Sequence, residues 1–202
     1  MAAKVDRRVR KTRAQLRAGL ARLMQKKNIR EITVTELVDE VDINRSTFYL
    51  HYEDIYQMLE SIEQEIMEEI RLSITSNPIE PLTSTDKAQS FLVHIFTYLE
   101  ENREICKALL GPHGDMAFVE QTEKLVAETV FESLTNQFPK TTPDLLYTYS
   151  FCLTGLVGML KSWLSAESPE SPQYMADLTH KLFTNFTRDF YTELTKSHYT
   201  NI

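Results

Sequence analysis

Residues 33–59 read Thr33-Val34-Thr35-Glu36-Leu37-Val38-Asp39-Glu40-Val41-Asp42-Ile43-Asn44-Arg45-Ser46-Thr47-Phe48-Tyr49-Leu50-His51-Tyr52-Glu53-Asp54-Ile55-Tyr56-Gln57-Met58-Leu59. Three helix starts are written into this stretch. Thr33 and Glu36 have the spacing of a capping box, in which the hydroxyl accepts from the Glu36 N–H and the carboxylate reaches back to the cap residue. A helix from about Val34 follows, with Leu37, Val38 and Val41 facing inward. Asp42-Ile43-Asn44 breaks the pattern, and Asn44 is a good N-cap for a short helix predicted to run to about residue 52. Asp54 caps the next, where Ile55, Met58, Leu59, Ile62, Ile66 and Ile70 mark one face and Glu60, Glu63, Glu65, Glu68 and Glu69 the other. Two short helices joined by a three-residue turn have the dimensions of a helix-turn-helix, which lays its second helix in the major groove of DNA.

The side chains suit that task. Arg45 at the start of the second helix can bind guanine O6 and N7 in bidentate fashion, and Thr47 can meet a base or a thymine methyl. Tyr49 and His51 can donate to phosphates, as can Thr35 at the N-terminus of the preceding helix, where the dipole also favours an anion. Phe48 and Tyr52 fall on the side expected to pack against the first helix.

Upstream, Leu16, Leu20, Leu23 and Met24 recur at helical spacing between residues 11 and 27, while Arg10, Arg13, Arg17 and Lys27 lie elsewhere around the helix. Residues 1–30 hold eleven of the 22 Lys and Arg against the single acid Asp6, a balance of +10; the remaining residues hold eleven bases and 28 acids, a balance of −17. Such asymmetry is the footprint of a chain whose beginning meets a polyanion. Arg10, Lys11, Arg13 and Arg17 are therefore candidate phosphate contacts.

With these residues in place, the run 33–59 resembles the N-terminal domain of the tetracycline-repressor (TetR) family: a capped second helix, a turn, a Thr-aromatic-Tyr-x-His-aromatic recognition helix, and a fourth helix soon after. The basic first helix is similar too, so the resemblance covers about residues 8–60. The word Leu110-Gly111-Pro112-His113-Gly114-Asp115-Met116-Ala117-Phe118 resembles a corner in the low-GC Gram-positive subset. The resemblance implies DNA contacts by Thr35, Arg45, Ser46, Thr47, Tyr49 and His51. It also implies a homodimer on double-stranded operator DNA, more often a repressor, with a small-molecule effector. Three positions depart from the family: Asp42 replaces the usual Gly, Ile55 a frequent Lys, and Glu53 sets an acid beside the phosphate path. They keep open a second reading, a co-regulator of the same fold that has lost DNA binding and acts through protein partners.

Downstream the periodicity predicts helices over 85–101, 103–110, 115–138, 143–166 and 172–196, and no segment alternates long enough to suggest a sheet. The expected fold is all-α with about nine helices: a three-helix helix-turn-helix domain over 1–54 and a helical bundle over 55–202 for ligand sensing and dimerisation. Residues 145–164 approach the length of a membrane span, but Tyr147, Ser150, Thr154, Lys161 and Ser162 make them too polar, so no membrane partner is expected. The basic N-terminus with no apolar run after it predicts a cytoplasmic chain. Cys106 and Cys152 read as small core residues. No metal-ligand spacing, nucleophile motif or cofactor fingerprint is present, so an enzyme is not expected.

Ser150, Thr154 and Gly158 recur every four residues, continue to Ser162, and have Gly155 alongside. This strip of small residues, with Leu182, Phe186 and Phe190 of the last helix, predicts an isologous four-helix dimer interface. Met58, Ile62, Phe91, His94, Tyr98, Cys152 and Met159 are candidates for lining an effector pocket, although apolar residues at helical spacing are also what a plain core requires.

Overall fold

The computed structural model of the chain describes residues 2–76, 85–137 and 143–199, with side chains over 7–76, 89–128, 147 and 150–185. Among these residues the regular structure is helical: α1 (Ala2–Met24), a 3-10 turn (Ile29–Glu31), α2 (Val34–Glu40), α3 (Arg45–Tyr49), α4 (Ile55–Ser76), α5 (Thr85–Glu101), α6 (Arg103–Leu109), α7 (Met116–Gln137), α8 (Pro143–Ser165) and α9 (Pro172–Tyr199). The all-α expectation therefore holds. Two boundaries move. α1 begins well before residue 11, because Ala2, Ala3, Lys4, Arg7 and Arg8 are good helix formers that carry no apolar period. α3 ends at Tyr49, after which the N–H groups of His51 and Tyr52 both fold back onto the Phe48 carbonyl, at 2.9 and 3.1 Å.

Caps explain most of the element starts. Thr33 Oγ1 accepts from the Glu36 N–H at 3.2 Å, but the Glu36 carboxylate takes Lys27 Nζ at 2.6 Å, so an ion pair to Lys27, three residues past α1, replaces the expected return half of the capping box. Asn44 Oδ1 accepts from the Ser46 N–H at 2.9 Å, and Asp54 Oδ1 from the Gln57 N–H at 2.8 Å. Asp115 Oδ1 accepts from the N–H groups of Ala117 and Phe118 to open α7, and Ser171 Oγ from that of Tyr174 to open α9.

The chain forms two compact units. The first comprises Met1–Glu69 and Asn102–Thr122, the second Ile70–Glu101 and Glu123–Ile202. They are not coextensive with the functional division at residues 54/55 expected from the sequence, because most of α4, all of α6 and the start of α7 belong with the N-terminal helices. In the first unit α1 packs on α6 and α2, and α2 on α3. Its core holds Leu16, Leu20, Leu37, Phe48, Met58, Ile62, Ile105, Cys106 and Leu109. Gly19 permits the close approach of α1 and α2, since a Cβ there would run into Val41 Cγ1 and come within 3.0 Å of Leu37 Cδ1. In the second unit α9 packs along α5 and α8. Phe96 meets Trp163 edge to face at 5.3 Å, and the Trp163 indole donates to the Glu170 carbonyl at 2.8 Å. No helix of the described residues is long and apolar enough to cross a membrane.

Candidate nucleic-acid interface

The turn between α2 and α3 is fixed by a pair of backbone bonds. The Ile43 N–H donates to the Val38 carbonyl at 3.0 Å and the Asp42 N–H to the Asp39 carbonyl at 3.4 Å, the Schellman pattern that ends a helix through one left-handed residue. That residue is Asp42, with φ of 53°. The departure from Gly read in the sequence thus falls on a position where the backbone asks for Gly, and Asp occupies it because its short polar side chain tolerates the left-handed region better than most.

α3 is held from behind. Phe48 is fully buried and Tyr52 nearly so, their rings 5.9 Å apart, while Tyr49 meets Phe48 edge to face at 5.4 Å. Arg13 Nε donates to the Tyr52 hydroxyl at 3.2 Å, and its guanidinium lies 5.4 Å from the centre of the Tyr52 ring. With one side anchored, α3 turns Arg45, Ser46 and Tyr49 outward, and Thr35 is exposed at the start of α2. Thr47 and His51 are half-buried at the margins of this face. The six residues singled out from the sequence therefore lie in one contiguous stretch from α2 to just past α3. Leu50, which sequence reasoning passed over, is 80% exposed beside them, and Tyr56 at the start of α4 is also exposed. The alternation of outward residues 45, 46 and 49 with inward 48 and 52 was the signal that Leu50 points out.

Several cations of the basic N-terminal helix meet acids of the first unit. Arg17 donates to Glu65 Oε2 at 3.0 Å, Arg13 approaches the same carboxylate at 3.8 Å, and Arg22 donates to Glu40 Oε1 at 2.6 Å. The Arg22 bond also holds the Glu40 carboxyl below its ordinary range. Only 20% of the Arg17 side chain is exposed, and its Nε and Nη2 atoms are buried without a hydrogen-bond partner. Arg13 and Arg17, expected to meet phosphates, are thus engaged by Tyr52 and Glu65 within the first unit. Arg10 and Lys11 are exposed, as are Arg7 and Arg8. Ile55 is buried, so the position where the family often has Lys has joined the core, and Glu53 is exposed.

The other candidates fall as follows. Met58 and Ile62 are fully buried in the first unit, whereas Phe91, Tyr98, Cys152 and Met159 are half-buried and His94 exposed in the second. These seven do not gather within one unit. Burial pushes the Cys106 thiol up to about 12, partly offset by Arg17, which makes it an inert core residue. Along α8, Ser150, Thr154, Gly155, Gly158 and Ser162 are all exposed together with Tyr147 and Phe151, and Leu182 of α9 is exposed as well. The side chains of Phe186 and Phe190 lie outside the described residues.

A chain that is helical throughout the described residues, whose second and third helices form a helix-turn-helix with the third anchored behind and presenting Arg45, Ser46 and Tyr49 in front, defines a helix-turn-helix transcriptional regulator. Residues 86–185 match the model of the TetR-type transcriptional regulator C-terminal region. The uncharacterized HTH-type transcriptional regulator YxbF of Bacillus subtilis (strain 168) is 36% identical over 93 residues; the match covers 44% of this chain and 24% of that relative, about a quarter of its length. Among solved structures, a TetR transcriptional regulator from Streptococcus agalactiae 2603V is similar with a TM-score of 0.53 at 22% identity, covering 90% of this chain and 98% of its own. The fatty acid degradation regulator FadR from Bacillus halodurans reaches 0.55 at 12% identity over 84% and 93% of the two chains. Both structures share the fold. The chain belongs to the TetR family of transcriptional regulators.

Proposed function

We propose that this regulator acts in the cytoplasm as a ligand-responsive repressor that binds operator DNA as a homodimer. The observation that carries the DNA reading is the outward face of α3, where Arg45, Ser46 and Tyr49 stand exposed on a helix pinned by buried Phe48 and Tyr52. In this role Arg45 reads a guanine, Ser46 and Thr47 contact neighbouring base edges, and Thr35, Tyr49 and His51 hold phosphates. Exposed Arg10 and Lys11 supply electrostatic attraction to the phosphate backbone. The exposed small-residue face of α8, flanked by Tyr147, Phe151 and Leu182, supports the dimer. The half-buried Phe91, Tyr98, Cys152 and Met159 support an effector site in the second unit. An effector there acts only to the extent that it binds one dimer geometry better than another.

The test is fluorescence anisotropy with the DNA upstream of the chain's own gene and a scrambled duplex across a salt series. The intact protein should prefer the upstream DNA. Neutralising Arg10 and Lys11 together should lower the slope of log K against log salt by up to about 1.8 and leave the ranking of duplexes intact. Arg45→Ala should instead change the ranking, costing about 1 to 3 kcal/mol on the preferred site. Absence of any salt-dependent preference would overturn the DNA reading in favour of a co-regulator working through protein partners.

A further inference from the structure

Leu50 places a large apolar side chain on the outward face that carries the candidate DNA contacts. It is 80% exposed, and it follows the last residue of α3 with helical backbone angles, φ −73° and ψ −15°. The helical phase therefore continues through it. At about 100° per residue, Leu50 lies within about 40° of Ser46, one turn further along. Arg45 and Tyr49 form the adjoining column, while Phe48, on the opposite side, is wholly buried. An isobutyl group thus completes the arc of α3 that also carries Arg45, Ser46 and Tyr49. The base edges lining a major groove present hydrogen-bonding groups and one apolar group, the C5 methyl of thymine. We propose that Leu50 is a specificity-determining residue that packs against a thymine methyl in each operator half-site, next to the bases met by Arg45 and Ser46.

This inference rests on the DNA-binding reading, and its test separates the two. Duplexes preferred by the full-length protein are selected from a random library, and each thymine of the winning half-site is replaced in turn by deoxyuridine, which removes the methyl and keeps the pairing edge. For the wild-type chain, one such replacement per half-site should weaken binding about fourfold, the value of burying a single carbon. Leu50→Ala, at a side chain that supports nothing in the core, should fold normally, bind the thymine duplex about tenfold more weakly, and no longer distinguish thymine from deoxyuridine at that position. Retention of the wild-type thymine preference by Leu50→Ala, or an equal loss on every duplex, would overturn the proposal while leaving the DNA reading intact. Failure of the library to yield any preferred sequence would overturn the DNA reading itself, and Leu50 with it.

Discussion

Asp42 holds its left-handed conformation at the end of α2 with a Cβ that glycine would lack. Asp42→Gly should therefore raise the unfolding free energy by about 0.5 to 1 kcal/mol, less whatever backbone entropy glycine adds to the unfolded chain. The check is a higher urea midpoint at unchanged m-value. A lowered midpoint would mean that the Asp42 carboxylate supplies more than its backbone strain removes. The sequence hinted at this strain only through the family resemblance, which puts Gly where Asp42 stands. The fate of Arg17 was not legible in it. Helical spacing put it on the polar side of α1, but the acid it meets, Glu65, lies 48 residues along the chain, a pairing that only the packed helices create. The same distance effect brings Arg13 Nε to the Tyr52 hydroxyl, 39 residues along the chain, while Arg13 stays exposed as Arg10 and Lys11 do.

At the scale of a helix, α4 shows where periodicity succeeds and where it stops. Ile55, Met58, Leu59, Ile62 and Ile66 are buried as the pattern requires and Glu60, Glu65 and Glu68 are exposed, whereas Glu69 and Ile70 near the end of the pattern are both half-buried. Glu63 breaks the rule: half-buried, with Oε1 enclosed and unpartnered, it has its pKa raised to about 7 by burial and then by the nearby charges of Asp115 and Glu60. A helix wrapped on more than one side has no fully solvated face, and α4 alone could not reveal that the corner before α7 comes near it. The folded chain keeps this proton up to about pH 7, while the unfolded chain releases it near its ordinary value of 4.5. Folded protein thus binds more protons in that window, and stability should fall as pH rises through it. Glu63→Gln should flatten that fall and stabilise the chain at pH 8 by about 1 to 2 kcal/mol, below the full linkage value because the carboxylate is partly solvated. Thermal melts at pH 5 and pH 8 would check it; an unchanged pH dependence would show that Glu63 ionises normally.

For the whole molecule, the decisive experiment on assembly is Gly158→Leu. A Cβ at Gly155 or Gly158 meets nothing within 4 Å in the single chain, so the larger side chain should leave the protomer folded and act on the proposed dimer alone. Sedimentation should show a shift toward monomer at micromolar concentration, with the helical circular dichroism retained; an unchanged dimer would remove this face of α8 from the interface. The helix order and the recognition motif were readable from residue spacing, since caps and apolar periods are local. The grouping of helices into units was not, because the pairing of α1 with α6 joins segments that share no local signal. That pairing also has a consequence for biosynthesis. The first unit is closed by Asn102–Thr122, so α1 leaves the ribosome well before the helix that covers it exists. At roughly 5 to 20 residues per second, the interval between residues 69 and 122 lasts about 3 to 10 s, during which the part of α1 that packs on α6 is uncovered. Nascent chains should be chaperone clients throughout that interval, and a product of premature termination at residue 101 should be cleared by proteases rather than persist as a miniature regulator.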